Sequence, residues 1–373
     1  MNVIFTCGGT GGHINPAIAV ANIWKERHPD SNILFIGAKG HMEEKLVPAA
    51  GYALETFETS GMSRKLTIDG IKRNVKAVAN VFAAVSGCKK IIRRFKPDVI
   101  IGTGGYASFP ALLAGKMMKI PTCVHEANAM PGLTTRMAAA WADKVLICFP
   151  ESAKHYKRPE KTQAVGMPVR REFIFTEKEA ARKELGLDSR PVIVSTFGSQ
   201  GAKMMNLAMA EFMKLEQEAG YPYQHIHGVG SFGWKWFPDR LKELDVDAEN
   251  SGAIDMREYI YNMPTVMAAA DVIISRAGAS SCNEIAASGT PCVLIPSPNV
   301  TDNHQEKNAR AIADKGGAVV LLEKDCTAQR LFDEVAAILS DQQRSEAMST
   351  ALRASCVLDS AERICDILEE LIQ

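Results

Sequence analysis

Asn2-Val3-Ile4-Phe5-Thr6-Cys7-Gly8-Gly9-Thr10-Gly11-Gly12-His13 is a short apolar run that breaks into a glycine turn, and a helical pattern follows it. The run is continuous rather than alternating, as in a parallel strand buried on both faces. Glycines at a strand-to-helix turn let a phosphate or a sugar reach the backbone at a helix N-terminus. A dinucleotide fingerprint does not fit. After Gly9 and Gly11 the third glycine's place is held by Ile14. The second strand ends in Gly37-Ala38-Lys39, without the acidic residue that holds an NAD ribose.

The same unit recurs along the chain. Apolar runs at Asn32–Gly37, Asp98–Gly102, Pro121–His125 and Lys144–Cys148 read as strands. A second series lies at Pro191–Phe197, Tyr223–Val229, Asp271–Arg276, Pro291–Pro296 and Gly317–Leu322. Helical patterns separate them, and repeated β-α-β units make a doubly wound sheet. The series breaks near Val165–Arg170, where a charged stretch, Glu172–Arg190, follows. A length of 373 residues suits two domains at about 100–200 residues each. The expected fold is α/β: two Rossmann-like, doubly wound parallel-sheet domains joined near residue 165 and facing a cleft. Ligands in such sheets bind at the carboxyl ends of the strands.

Composition narrows the function. With 43 basic and 43 acidic residues the net charge is zero, which argues against a globally basic nucleic-acid binder. The nine cysteines are scattered with no C-x-x-C pair, so neither a zinc site nor a redox motif is indicated and a reducing compartment is expected. The first residues enter a strand directly, so no ordinary signal peptide is expected. No apolar run reaches the ~20 residues of a membrane span.

Further loops fall at strand ends. Gly102-Thr103-Gly104-Gly105-Tyr106 and His125-Glu126-Ala127-Asn128-Ala129-Met130-Pro131-Gly132 belong to the first domain, where they can converge with Gly8–His13 on one site. In the second domain Phe197-Gly198-Ser199-Gln200-Gly201-Ala202 reads as a diphosphate cradle. Ser275–Glu284 is another strand–glycine–helix unit, and Glu284 suits either paired ribose hydroxyls or a helix start. Asp302-Asn303-His304-Gln305 and Asn308 form a polar cluster suited to sugar hydroxyls or to a capped helix. The triplet Asp245-Val246-Asp247 lies in a charged helix-to-loop stretch, not at a strand end, and reads as solvated surface rather than a metal site.

These motifs, with Gly104–Ser108, Gly166–Arg170 and Arg276–Glu284, resemble the MurG family of glycosyltransferases over nearly the whole chain and in family order. That family adds N-acetylglucosamine to undecaprenyl-diphospho-muramoyl-pentapeptide. The resemblance implies a GT-B fold, UDP-N-acetylglucosamine as donor, no cofactor, no metal, and inversion at the anomeric carbon. It implies an acceptor domain over 1–165, completed by a C-terminal helix over 357–373, and a donor domain over 166–356. It assigns Thr10, Gly11 and Gly12 to the diphosphates, His13 to the base, and Asn128 to the donor sugar. Arg170 and Ser199 would meet the donor diphosphate, and the Ile260 backbone would read uracil. Ala279, Ser280, Ser281, Cys282, Asn283 and Glu284 would form the donor-site helix start, with Glu284 on the ribose. Gln305 and Asn308 would read sugar hydroxyls. Met167, Ala127, Phe197 and Phe109 depart from the family pattern, and the two Phe residues would narrow the cleft if they faced it.

His13 is the favoured base because histidine titrates near neutrality. A role in holding the loop is its alternative, and Glu126 is the second candidate. Two other functions share parts of the pattern: a UDP-N-acetylglucosamine 2-epimerase, and a non-catalytic membrane recruiter. The lipid-linked acceptor places the enzyme peripherally on the cytoplasmic face of the cell membrane, with cell-wall or division machinery as candidate partners and no nucleic acid. Between Thr59 and Pro97 ten basic residues face only Asp69, with Ile71, Val75, Val78, Phe82 and Val85 at helical spacing. Residues 62–94 are therefore expected to dock on an anionic membrane.

Overall fold

The computed structural model describes residues 1–58, 68–300 and 303–373, and of residues 68–79 the backbone alone. It divides into two units, residues 1–170 with 357–373, and residues 171–356.

The first unit is built on β1 (Asn2–Thr6), β2 (Asn32–Ala38), β3 (Ala53–Phe57), β4 (Val99–Gly102), β5 (Thr122–Glu126), β6 (Lys144–Ile147) and β7 (Thr162–Ala164). All pair in parallel, in the order β3-β2-β1-β4-β5-β6-β7. The chain winds outward from β1 to β3 and then returns to start again at β4. The switch point, where such sheets bind ligands, is thus between β1 and β4. Phe5 lies in register with Phe35 and Ile101. One face of the sheet is covered by the helix Gly11–Arg27, whose Trp24 is fully buried, together with the C-terminal helix Ser360–Ile372. Ile364, Cys365 and Leu368, spaced for one helical face, bury there. Arg27 holds the exposed side through Asp366 at 2.5 Å.

The second unit has β8 (Val192–Thr196), β9 (Gln224–Gly228), β10 (Ile254–Arg257), β11 (Val272–Ser275), β12 (Cys292–Leu294) and β13 (Ala318–Val320), all parallel, in the order β10-β9-β8-β11-β12-β13. Its switch point lies between β8 and β11. All ten strands expected from the sequence are present. The three that the sequence did not announce, β3, β7 and β10, are edge strands.

The helix Ile68–Phe95 bears on the expected apolar stripe only in its described part. Ala84, Val85, Cys88, Ile91 and Ile92 bury in the core, whereas Phe82 is 70 % exposed. The stripe is thus not uniformly buried: Val85 enters the core while Phe82 stays in the open. The remaining stripe positions, Ile71, Val75 and Val78, have side chains outside the described residues. Among the described residues no helix is long and apolar enough to cross a membrane.

Beneath β8 and β9 runs a buried polar chain. Glu216 Oε2 lies 2.9 Å from His225 Nδ1, His225 Nε2 2.7 Å from Ser195 Oγ, and Ser195 Oγ 2.6 Å from His227 Nδ1. One assignment of protons satisfies every link: each imidazole donates from Nδ1, and Ser195 donates to His225 Nε2. Burial, reinforced by His225, pushes the His227 pKa down to about 3, so this ring stays neutral. The folded value lies below the ordinary 6.5, so the unfolded chain binds a proton that the native one refuses as pH falls below about 6.5. That stability is present above pH 6.5 and drains at about 1.4 kcal/mol per pH unit toward pH 3. Urea unfolding of the parent and of His227→Gln at pH 7, 6 and 5 should show the parent losing stability more steeply.

Candidate active site

The first unit brings two of its glycine loops into contact. After β1 the chain turns through Gly8 and Gly9 into the helix Gly11–Arg27, and after β4 through Gly104 and Gly105. Gly105 has φ +78, and a Cβ there would lie 2.3 Å from Gly8 O. Gly104 has φ +102, and a Cβ there would lie 2.7 Å from His13 Nδ1. Only glycine fits either place. His13, half-buried on the first helical turn, sets Nδ1 3.2 Å from Thr103 O, while Thr103 Oγ1 donates to His13 O at 2.6 Å. A carbonyl only accepts, so Nδ1 carries a proton, and in the neutral ring Nε2 is the basic nitrogen. Thr10 occupies the N-cap position but its hydroxyl makes no capping bond, and the first turn holds no acidic residue. Its amide and those of Gly11 and Gly12 have no acceptor among the described residues. A helix start left so is suited to an anion.

The third loop of this unit is organised from within. Glu126, at the end of β5, is 3 % exposed. Its Oε1 accepts from Asn128 N at 3.0 Å and Asn128 Nδ2 at 2.9 Å, and its Oε2 accepts from Gly132 N at 3.0 Å. Both oxygens are committed to the loop 127–132, and Asn128 spends its amide group on the same carboxylate. The neighbouring His125 is fully buried with Nε2 2.9 Å from Gly166 O, and burial above all holds its pKa below the ordinary value. Arg170, half-buried, ends this unit.

The second unit repeats the arrangement at its own switch point. After β8 the chain turns through Gly198–Gly201 into the helix Lys203–Glu218, which has no side-chain cap and no acid in its first turn. This loop rests on one the sequence did not flag, Gly230–Gly233. Ser231 N donates to Ser199 O and Phe232 N to Gln200 O, each at 3.2 Å. A Cβ on Gly201 would lie 2.2 Å from Val229 O, and one on Gly230 2.1 Å from Gly201 N. The recurrence of glycine at both positive-φ positions 230 and 201 was the signal available.

After β11, Gly278 leads into the helix Ala279–Ser288, again with no side-chain cap and no acid in the first turn. Ser280 Oγ donates to Glu284 Oε1 at 3.1 Å, which steadies a half-buried carboxylate one turn in. Cys282 and Asn283 point inward. Cys282 is fully buried, with its thiol pushed up to about 12 by that burial, and Asn283 Nδ2 donates to Ala279 O at 2.8 Å. Asn308 is also fully buried and donates to Ala277 O at 3.2 Å, so it braces the turn before the helix. Gln305 accepts from Ser297 N at 2.9 Å through Oε1, and its Nε2 has no acceptor among the described residues. Asp302 lies outside the described residues. Arg276 is bound to Glu323 and to Ile295 O. Ile260 buries its side chain to 4 % beside Gly228, leaving its backbone as the part that could serve recognition.

Other expectations resolve simply. Phe197 packs in the core of the second unit, 6.1 Å from the His227 ring, and Phe109 lies half-buried against Trp141. Phe197 therefore narrows nothing. Asp245 and Asp247 are exposed, and Asp247 Oδ1 accepts from Asn250 N at 3.1 Å.

Two doubly wound sheets, each with glycine turns and uncapped helix starts at its switch point, define an α/β protein built to hold phosphate-bearing ligands. The family models agree: residues 3–147 match the glycosyltransferase family 28 N-terminal domain, and residues 192–364 its C-terminal domain. A protein of Acetivibrio thermocellus, named UDP-N-acetylglucosamine--N-acetylmuramyl-(pentapeptide) pyrophosphoryl-undecaprenol N-acetylglucosamine transferase, is 37 % identical over 100 % of this chain and 99 % of its own. The chain belongs to that transferase family, the MurG glycosyltransferases. Among solved structures, the MurG of Acinetobacter baumannii is similar at TM-score 0.73 and 24 % identity, over 99 % of each chain. The UDP-GlcNAc 2-epimerase of Neisseria meningitidis is similar at TM-score 0.67 and 16 % identity, over 99 % of this chain and 100 % of its own. At such identities the likeness shows the shared GT-B fold alone.

Glu284 is held at the donor-type helix start without belonging to the core. Glu284→Ala should weaken UDP affinity by about tenfold to a hundredfold, the loss of charge-assisted hydrogen bonds of ~1.5–3 kcal/mol. Calorimetry with UDP, paired with an unchanged melting temperature, checks this.

Proposed function

We propose that the first unit receives the lipid-linked acceptor, that the second holds the UDP-sugar, and that His13 takes the acceptor's proton. The observation that carries this reading is the recurrence of strand, glycine turn and uncapped helix start at the switch point of each sheet. The reaction is that of the family: N-acetylglucosamine passes from UDP-N-acetylglucosamine to undecaprenyl-diphospho-muramoyl-pentapeptide, a step of peptidoglycan synthesis.

In this reading the acceptor hydroxyl attacks the anomeric carbon from the side opposite UDP. The bond from that carbon to the β-phosphate oxygen breaks, UDP leaves with the electron pair, and the configuration inverts. The hydroxyl proton goes to His13 Nε2, the nitrogen that the Thr103 bond leaves basic. Glu126 is the weaker base, because its two oxygens would first have to release Asn128 and Gly132. Charge growing on UDP is met by the amides that open the helices after Gly198–Gly201 and Gly278, and by Arg170. Each exposed helix end contributes ~0.3–1 kcal/mol, more when partly buried. Arginine adds a bidentate phosphate clamp. The scheme uses no metal and no cofactor.

Access to an acceptor that stays in the bilayer calls for a membrane-facing surface. The described end of the basic segment supplies exposed Phe82, Lys90, Arg93, Arg94 and Lys96, with Arg94 also paired to Glu55. The remainder of residues 62–94 lies largely outside the described side chains. The enzyme would thus sit peripherally on the cytoplasmic face of the membrane, beside cell-wall or division machinery.

Incubation with labelled UDP-N-acetylglucosamine and the lipid-linked muramoyl-pentapeptide should move label into the lipid product. Label converted without acceptor would instead mark an epimerase. In the same assay His13→Ala should lower kcat by about 10²–10⁴-fold while UDP affinity holds. Replacing Lys72, Arg73 and Lys76 with Glu should release the protein from anionic vesicles, since each basic residue contributes ~1 kcal/mol there. Sedimentation equal to the parent's would remove this segment as the docking surface.

A further inference from the structure

Glu43 is a buried carboxylate that neither the motifs nor the mechanism above uses. It opens the short helix Glu43–Ala49 after β2 and is 0 % exposed. Its Oε1 accepts from Ala38 N at 2.8 Å, at the end of β2, and its Oε2 accepts from Gly9 N at 3.2 Å, inside the first glycine loop. Among the described residues no basic side chain pairs with it. Its slot is carved from glycines: a Cβ on Gly8 would lie 2.9 Å from Oε1, and one on Gly37 2.6 Å from Cγ.

A carboxylate buried on two backbone amides alone is an expensive way to fill space, and an apolar side chain would fill it at less cost. What an apolar side chain cannot do is accept both amides at once. Glu43 turns the Gly9 amide inward, at φ +88, and ties it to the end of the neighbouring strand. The next amides, those of Thr10, Gly11 and Gly12, have no acceptor among the described residues and stay at the helix start. We propose that Glu43 is a positioning residue for the acceptor: by pinning Gly9 it sets the pitch of the Thr10–Gly12 amides that meet the acceptor's diphosphate, without touching substrate itself. This rests on the reading that the first glycine loop takes the acceptor.

The test uses the full-length enzyme with a short-chain lipid-diphospho-muramoyl-pentapeptide. Glu43→Gln keeps the shape and one acceptor oxygen. The shorter Ala38 bond retains that oxygen, so the new NH₂ group meets the Gly9 N–H donor against donor. Glu43→Gln should raise the acceptor KM about tenfold or more, the effect of one unsatisfied buried amide. The donor KM and the UDP Kd should stay within about twofold, because only acceptor binding is touched. Gly11→Val blocks the loop directly. A Cβ there meets nothing closer than Asn15 Nδ2 at 3.8 Å, so the fold should tolerate it. If Gly11→Val raises the acceptor KM and Glu43→Gln does not, the role of Glu43 is overturned while the loop keeps its assignment. If Gly11→Val leaves the acceptor KM unchanged, the loop reading fails, and the Glu43 role with it. If Glu43→Gln raises both KM values together, or melts far below the parent, Glu43 is a stability element and the proposal is overturned.

Discussion

Backbone meets backbone at the carboxyl ends of both sheets, at separations no side chain can share. Gly105 closes on the Gly8 carbonyl in the first unit, and Gly201 and Gly230 close on one another in the second. The parallel strands of a doubly wound sheet all point one way, so every strand-to-helix turn of a unit opens at the same end. Glycine contacts draw the turns together there. The helices that start from them are then fixed in direction by the sheet and in position by the contact. His13 owes its place to this packing: its ring lies against Gly104, and its main chain is locked to Thr103.

Side-chain caps are few among the described helix starts. The helices Ala328–Ser340 and Gln342–Ser355 are capped by Thr327 and Asp341, whose side chains accept from Arg330 N and Arg344 N. Those caps stabilise each helix by about 1 kcal/mol. The helices after β1, β8 and β11 go without, although Thr10 is of a type that caps well. The helices Ser108–Met117, Leu133–Ala139 and Met263–Ala269 also lack a side-chain cap, so it is the close glycine turns, and not the missing caps, that set the switch points apart.

Much of this was legible in the sequence, for physical reasons that also mark its limits. A central parallel strand is buried on both faces and writes itself as an unbroken apolar run, as Val3-Ile4-Phe5 and Val99-Ile100-Ile101 do. The edge strands Ala53–Phe57, Thr162–Ala164 and Ile254–Arg257 are partly solvated, so Glu55, Gln163 and Asp255 interrupt them and the signal fades. The glycine loops after β1, β4 and β8 were legible because their residue type is forced by the close approach, whereas Gly230–Gly233 went unflagged. Glu43 was not, since a buried carboxylate held by the Ala38 and Gly9 amides looks in sequence like any acid at the start of a helix. The inward turn of Asn308 and the commitment of both Glu126 oxygens are equally silent, because a polar side chain near a site looks the same whether it meets ligand or braces a loop.

Burial accounts for three of the four departures from the family pattern. Met167, Ala127 and Phe197 are each buried to 4 % exposure or less. They change packing behind the loops, not the donors that the loops present. A close-packed core accepts apolar exchange when volume and direction are kept, whereas a Cβ at Gly105 or Gly201 has nowhere to go. The chain and the Acetivibrio thermocellus relative differ at roughly three positions in five, as the 37 % identity over the full length requires. What the fold constrains is the handful of places where backbone must approach backbone, with His13 seated against Gly104 and Glu284 held by Ser280 at the helix start after β11.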